Sequence, residues 1–552
     1  MPTFSLIHEP WLWVRLRGGE RELLSLIDVL WCSHEIDDLI VELPTQKPAI
    51  LRQVLLPVLA GALGLPADHK QWVRRFTAGR FTDAERDQIH HYLDERQERF
   101  DLFHPQTPFA QVADLRSAKG ETKGTALIVA TAAQGNNVPL FASRTEGDPL
   151  PLTPAQAARW LIHTHCWDTA AIKTGAVGDP QVKSGKTVGN PTGPLGQLGV
   201  VTPGGRTLFE TLLLNSPIGS AAIAGTAHWE RPIAGPTWQM RAPDGLLDLW
   251  TWQARRIRLF PEETPEGIRV SRVLVAAGDR LAGFEDLEWH TAWTYPKARR
   301  TGTVRRPRRH VPGKAIWRGL DALLTLEPPP QDEDAYQTSR LLIQLADLQE
   351  HGTITGDYPL QLETFGIAYG TQSAVIEDVL HDAIPLPVAA LHTDSDAYLL
   401  LLEASQQAEN LARAVNGLSA DLRRAVGADP IPWDKGQRPG ELVLHALDPL
   451  IRRLLAGVRH AGDDIAVLQR GQLAWEKAAY RETRQVAEPL FAAVPASAFI
   501  GREAKQGGKT ATYSLGSAER DFRRRLNQIL PRAAEDRAEV NRSQAADLTS
   551  EG

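Results

Sequence analysis

Four stretches of this chain hold residue types that could do chemistry. In Ala368-Tyr369-Gly370-Thr371-Gln372-Ser373-Ala374-Val375-Ile376-Glu377, Gly-Thr makes a tight polar turn in front of a short apolar helix start, with one Gln at its tip. A Gln there could cap a helix, hydrogen-bond a base edge or wedge into a duplex. Ser184-Gly185-Lys186-Thr187 ends like a phosphate-binding loop. That loop needs a Gly where Pro180 stands, a strand before it and a helix after it. Residues 178–181 do not read as a buried strand, and Pro191 stops a helix, so nucleotide binding is not expected. His163, His165 and Cys166 are possible metal ligands. On a helix the two histidines point in different directions, so buried histidines with local hydrogen bonds are expected instead. Finally, Lys297, Arg299, Arg300, Arg305, Arg306, Arg308, Arg309, Lys314 and Arg318 follow one another without an acidic residue. Such a run is either a solvated loop or a track for a phosphate backbone.

The elements that must position these residues fall into two styles. Residues 1–385 read as a mixed α/β region. Leu12-Trp13-Val14-Arg15-Leu16 alternates as a strand, and residues 48–63 have apolar side chains at helical spacing, with a kink or split expected at Pro57. Thr82 with Glu85 signals one helix start, and Thr153 with Pro154 another. Residues 173–208 carry Gly175, Gly178, Gly185, Gly189, Gly193, Gly196 and Gly199, which argues for a long loop. From about residue 394 periodic helices dominate, over 394–426, 441–460, 463–487 and 517–530. The expected architecture is a mixed fold: a large α/β N-terminal domain over 1–385, then a C-terminal four-helix bundle over 386–532. Residues 533–552 are expected to fray as a polar tail.

Composition narrows the function classes. At 552 residues the chain is too long for one core. A net charge of −6 is not that of a protein that coats nucleic acid unaided. No apolar run is long enough to span a membrane, and Met1-Pro2-Thr3-Phe4 lacks a basic region followed by an apolar one, so no secretory signal is expected. Cys32 and Cys166 form no C-x-x-C pair and fit a reducing, cytoplasmic setting. No nucleophile elbow, H-E-x-x-H helix or catalytic carboxylate motif stands out, which favours a binding subunit over an enzyme. A metal-independent hydrolase or nuclease, or a purely structural docking subunit, remain the alternatives.

The order of several blocks resembles the CasA-type large subunit of the type I-E CRISPR surveillance complex, Cascade. Phe4-Ser5-Leu6-Ile7-His8-Glu9-Pro10-Trp11-Leu12-Trp13-Val14 is similar to the family's opening strand. Phe103-His104-Pro105-Gln106-Thr107-Pro108-Phe109-Ala110-Gln111-Val112 and Gly135-Asn136-Asn137-Val138-Pro139-Leu140-Phe141 follow in order, then the glycine stretch and the glutamine turn. The resemblance implies recognition of a protospacer-adjacent motif from the minor groove by a glycine loop, a basic finger and a glutamine wedge. The wedge maps onto Gln372, flanked by Thr371 and Ser373. The finger is a Lys in the family, and Arg280, ahead of Leu287-Glu288-Trp289, takes its place here, with Lys297 next in line. The glycine loop maps within 182–199, at Gly185, Gly189 and Gly193. Arg305, Arg306, Arg308 and Arg309 are candidates for DNA backbone contact. Val129 and Thr131, within 128–137, match a loop that touches guide RNA or partner subunits. Implied partners are the other Cascade subunits, the CRISPR guide RNA, duplex target DNA with its displaced strand, and a helicase–nuclease recruited after R-loop formation. The family implies no cofactor and no membrane, and the Cys cluster of some members is missing here, so no structural zinc is expected.

Overall fold

Trp13 and its neighbours open the chain as expected. Strand Leu12–Leu16 buries Leu12 and Val14 and turns Trp13 outward, at the centre of an antiparallel sheet with Arg21–Leu24 and Ile36–Ile40. The computed structural model describes residues 2–133, 148–295, 305–327, 335–432, 438–462, 464–506 and 509–550. It divides into two units: Met1–Lys314, Thr325–Ile354 and Leu360–Ala383 form one, and Ala315–Leu324, Thr355–Pro359 and Ile384–Gly552 the other. The class is mixed helix and sheet with a helical C-terminal region, as read from the sequence. The division is less linear than 1–385 against 386–532, because 315–324 and 355–359 belong to the helical unit. There Trp317 donates its indole N–H to Asp448 at 2.8 Å.

In the first unit, the helical pattern before Leu63 is divided, as expected, with Pro57 in the first turn of its last helix. Helices Gln46–Ile50 and Leu56–Leu63 are joined by a π turn, Leu51–Leu55, in which the Leu56 amide bonds the Leu51 carbonyl. Pro57 has no N–H for the usual bond to residue 53, and the wider turn absorbs that loss. The turn also directs Arg52 inward. Arg52 Nη1 meets Glu288 Oε1 at 2.8 Å, with both side chains almost wholly buried. The expected capping signals are formed: Thr82 with Glu85, and Thr153 with Gln156, each make a reciprocal capping box.

Two sheets carry the glycine stretch and the glutamine turn. The hairpin Arg255–Thr264 and Gly267–Ala277 is extended by the short strands Lys123–Gly124, Lys173–Thr174 and Lys186–Thr187. A second sheet orders Ile376–Pro385, Gln361–Tyr369 and Val200–Gly204. Residues after the glutamine turn are therefore a strand, not the helix start expected. Ile376, Val379 and Ile384 give that strand its β-branched composition, which suits a pleated surface.

In the second unit, helix Asp396–Ala425 packs against Pro439–Ala461, Ile465–Ala492 and Leu515–Ile529. Gln472 Nε2 donates to Glu403 and Gln407 Nε2 to Glu476, so the first and third helices run parallel, as an up-down-up path requires. The connector before the fourth helix contains a hairpin, Arg502–Gln506 with Lys509–Tyr513. The tail does not simply fray: Pro531–Ser550 is a further helix. The Ala533 amide donates to buried Glu476 at 2.9 Å, Lys477 pairs with Asp536 at 2.7 Å, and Arg537 covers the Tyr480 ring at 3.6 Å. Its Ala, Glu and Arg content favours helix even without a strong apolar stripe.

Candidate nucleic-acid interface

The glutamine turn joins strands Gln361–Tyr369 and Ile376–Pro385. Gly370 donates to the Val375 carbonyl at 3.0 Å and Ser373 to the Gly370 carbonyl at 2.8 Å, closing the turn. Gln372 and Ser373 have φ of 55° and 53°, the left-handed region. Each such non-glycine residue costs roughly 1–2 kcal/mol. Backbone strain of this kind concentrates at functional sites. Thr371 and Gln372 are exposed. The Gln372 side chain makes no hydrogen bond among the described residues, and the turn has no side-chain cap, which removes the capping role.

The turn is tied down from below. Tyr369 Oη donates to the Trp167 carbonyl at 2.6 Å, at the end of helix Pro154–Trp167. The Ala170 amide donates to the Ser373 carbonyl at 2.7 Å. Just beyond, Asn190 Nδ2 donates to the Ala171 carbonyl at 3.2 Å, so one short segment touches both the turn and the glycine loop. Asp168 is the anchor of that segment. Its Oδ2 meets Arg255 Nε at 2.5 Å and Lys173 Nζ at 2.7 Å. Arg255 also donates to the Thr169 and Pro191 carbonyls, both at 2.8 Å. Burial would raise the Asp168 carboxyl, but Lys173 and Arg255 outweigh it and hold it below its ordinary value. Sequence reasoning missed this cluster, since its members are scattered in the chain and belong to no motif.

The three candidate glycines separate. Ser184 and Gly185, with φ of 52° and 71°, form the two-residue tip of a hairpin closed by mutual Lys183–Lys186 backbone bonds. This is a type I′ turn, which asks for positive φ at both central positions. The phosphate-loop resemblance is therefore a hairpin tip, as its missing glycine implied. Gly189 is exposed with φ of 69°. Gly193 is buried, and a Cβ there would overlap the Cys166 carbonyl. Its reason for being glycine is packing, which removes it from any DNA-facing surface.

Arg280 stands beside Gly189. Its Nη2 donates to the Val188 carbonyl at 2.8 Å, and its guanidinium lies 3.8 Å from the Trp238 ring centre. The loop, the arginine and the glutamine turn are thus linked through Val188, Asn190, Ala171 and Ala170.

Among the described residues of the basic run, the arginines differ in what they touch. Arg305 is committed to the fold: it bonds Asp286 at 2.8 Å and covers the Trp293 ring at 4.2 Å. Arg308 lies 5.0 Å from the Tyr336 ring centre. Arg306 and Arg309 are exposed, and Arg309 reaches the Gln197 carbonyl at 3.3 Å. Lys297, Arg299 and Arg300 lie outside the described residues.

Val129 is buried and Thr131 exposed. Val129 lines a cavity of about 250 Å³ shared with Lys123, Lys173, Ala374 and Ile376, so residues 128–130 adjoin the base of the glutamine turn. Residues 134–141 of the matched blocks lie outside the described residues. His163 and His165 are buried and serve the fold: their Nε2 atoms meet Thr45 Oγ1 and the Ala110 carbonyl, each at 2.9 Å. Burial pushes them down to about 3 and about 4. Among the described residues no group of three or more His, Cys, Asp or Glu could hold a metal. No helix there is long and apolar enough to cross a membrane.

With this geometry in hand, comparisons with known proteins are specific. A family model described as CRISPR-associated protein Cse1 matches residues 5–486. A CRISPR-associated protein CasA/Cse1 of Thermus thermophilus is 28% identical over 489 residues, covering 83% of this chain and 88% of that protein. The crystal structure of Thermobifida fusca Cse1 superposes with a TM-score of 0.81 at 33% identity, over 96% of this chain and 99% of that one. A chain of a CRISPR RNA-guided surveillance complex has the same fold, with a TM-score of 0.65 at 23% identity, over 89% of this chain and all (100%) of that one.

Proposed function

The chain belongs to the CRISPR-associated protein Cse1 family, and from that premise we propose that it is the large subunit of an RNA-guided DNA surveillance complex. Its proposed partners are the other protein subunits of that complex, the guide RNA and duplex target DNA. Guide pairing reads the target sequence, while the protein reads a short duplex motif. Gly189 and Arg280 meet the minor groove, with Gly185 at the neighbouring hairpin tip. Gln372, flanked by Thr371 and Ser373, enters the base stack below the motif. Insertion costs a few kcal/mol of unstacking, which groove contacts and the first RNA–DNA pairs offset. Arg306 and Arg309 contact phosphates, and Val129 and Thr131 face guide RNA or a partner subunit. The chain acts as a binding subunit rather than an enzyme, and cleavage belongs to a helicase–nuclease recruited afterwards.

The observation that carries this reading is Gln372 itself. The surrounding hydrogen bonds hold Gln372 in a strained left-handed turn while its side chain stays free, an arrangement that concentrates at functional sites. Replacing Gln372 by Ala, and measuring R-loop formation on duplex and pre-melted targets, tests it.

A further inference from the structure

Arg280 is held more firmly than an exposed cation needs. The Trp238 ring lies 3.8 Å from its guanidinium carbon. Trp238 is fastened in turn: its indole N–H donates to Asp179 Oδ2 at 3.2 Å, and its carbonyl accepts from Gln181 Nε2 at 3.0 Å. Backbone pairing with Met240 fixes the start of the Arg280 side chain. Nη2 is engaged by the Val188 carbonyl, and Nε is buried without a partner. Nη1 makes no hydrogen bond among the described residues. It opens beside Gly189, where even a Cβ would stand 3.8 Å from both terminal nitrogens. The outward edge of this clamped fork carries donors and no acceptor.

Building on the reading of Arg280 as a minor-groove contact, we infer that Trp238 is a positioning residue for this donor edge, and that the edge excludes guanine's exocyclic amino group from one motif position. In the minor groove, A·T and T·A pairs present acceptors only, whereas a G·C pair adds the guanine N2 donor. A fixed donor edge matches the first and opposes the second. A lysine ammonium on a flexible stem can turn aside; a guanidinium clamped between a ring and a carbonyl cannot. The recognised class is a duplex with an A·T or T·A pair under Arg280.

The experiment titrates the chain, assembled with its RNA-loaded partners, against motif duplexes. Each G·C pair of the motif is replaced in turn by inosine·C, which lacks the N2 amino group. Each A·T pair is replaced by 2,6-diaminopurine·T, which gains it. Neither change alters the major groove. At one position the amino group should weaken binding roughly 5- to 100-fold. Trp238→Leu should shrink that ratio several-fold, and Trp238→Phe should keep most of it. The ratio is taken within one preparation, so partial misfolding does not move it. Motif-dependent binding that is indifferent to the amino group at every position overturns the inference but leaves the motif reading intact. An unchanged ratio in Trp238→Leu overturns the role of Trp238. Loss of all motif dependence in the wild-type complex would remove the reading beneath both.

Discussion

The Ala170 amide donates to the Ser373 carbonyl at 2.7 Å, which ties the glutamine turn to the segment that braces the glycine loop. Asp168, two residues earlier, fixes that segment to Arg255 and Lys173. Replacing Asp168 by Asn should leave two buried cations poorly compensated and cost about 3–5 kcal/mol. Denaturant unfolding measures this. A cost below about 1 kcal/mol would show that the cluster does not anchor the site.

Gly189→Ala and Gly193→Ala should fail in opposite ways. Gly193→Ala would drive a Cβ into the Cys166 carbonyl and should cost about 1–3 kcal/mol or more of stability, with motif affinity of the folded fraction unchanged. Gly189→Ala makes only ordinary contact with the Arg280 guanidinium but keeps a φ of 69°, so its stability cost should be near 1 kcal/mol while duplex binding weakens. Thermal unfolding paired with duplex titration separates them. Equal effects on both readouts would contradict the assignment.

Glu288 gives a pH prediction. Burial raises its carboxyl, but Arg52 and His290 outweigh burial and bring it down to about 2. A depressed folded-state value means stability that is fully present above the ordinary value of 4.5 and is lost as pH falls towards 2. Glu288→Gln should therefore be several kcal/mol less stable near neutral pH. The gap from wild type should close across that acid window. A gap independent of pH would mean that packing, not charge, accounts for the loss.

The exposed part of the basic run should respond to salt. Replacing Arg306 and Arg309 by Ala should weaken DNA binding almost equally for every motif. The slope of log affinity against log salt should become shallower by about 0.9 for each duplex phosphate no longer neutralised, or about 0.7 for each phosphate of a single strand. Arg305→Ala should instead lower stability and leave the slope alone, because Asp286 and Trp293 already occupy it. If both variants leave affinity and slope unchanged in an intact complex, the exposed pair is a solvated loop.

What was legible in the sequence was local. Thr82 with Glu85 and Thr153 with Gln156 announce helix starts within one turn, and the apolar stripes announce the bundle. The left-handed Gln372 was not legible, although its place at a turn tip was. Gly193 and Gly189 looked alike because a glycine kept for packing and one kept for exposure share the same letter. Asp168 with Arg255 and Arg52 with Glu288 were invisible because tertiary folding, not spacing, brings each pair together. The strand after the turn was misread because a short apolar run fits either period. Arg305 and Arg306 are neighbours in sequence, yet Arg305 pairs with Asp286 while Arg306 is exposed on its short strand.

The most direct test of the wedge is the rate of R-loop formation by complexes carrying Gln372→Ala. On fully paired targets the rate should fall, with initial duplex binding little changed. On targets already unpaired beside the motif the variant should approach the wild-type rate, since no stack remains to be opened. Equal slowing on both targets would contradict the account.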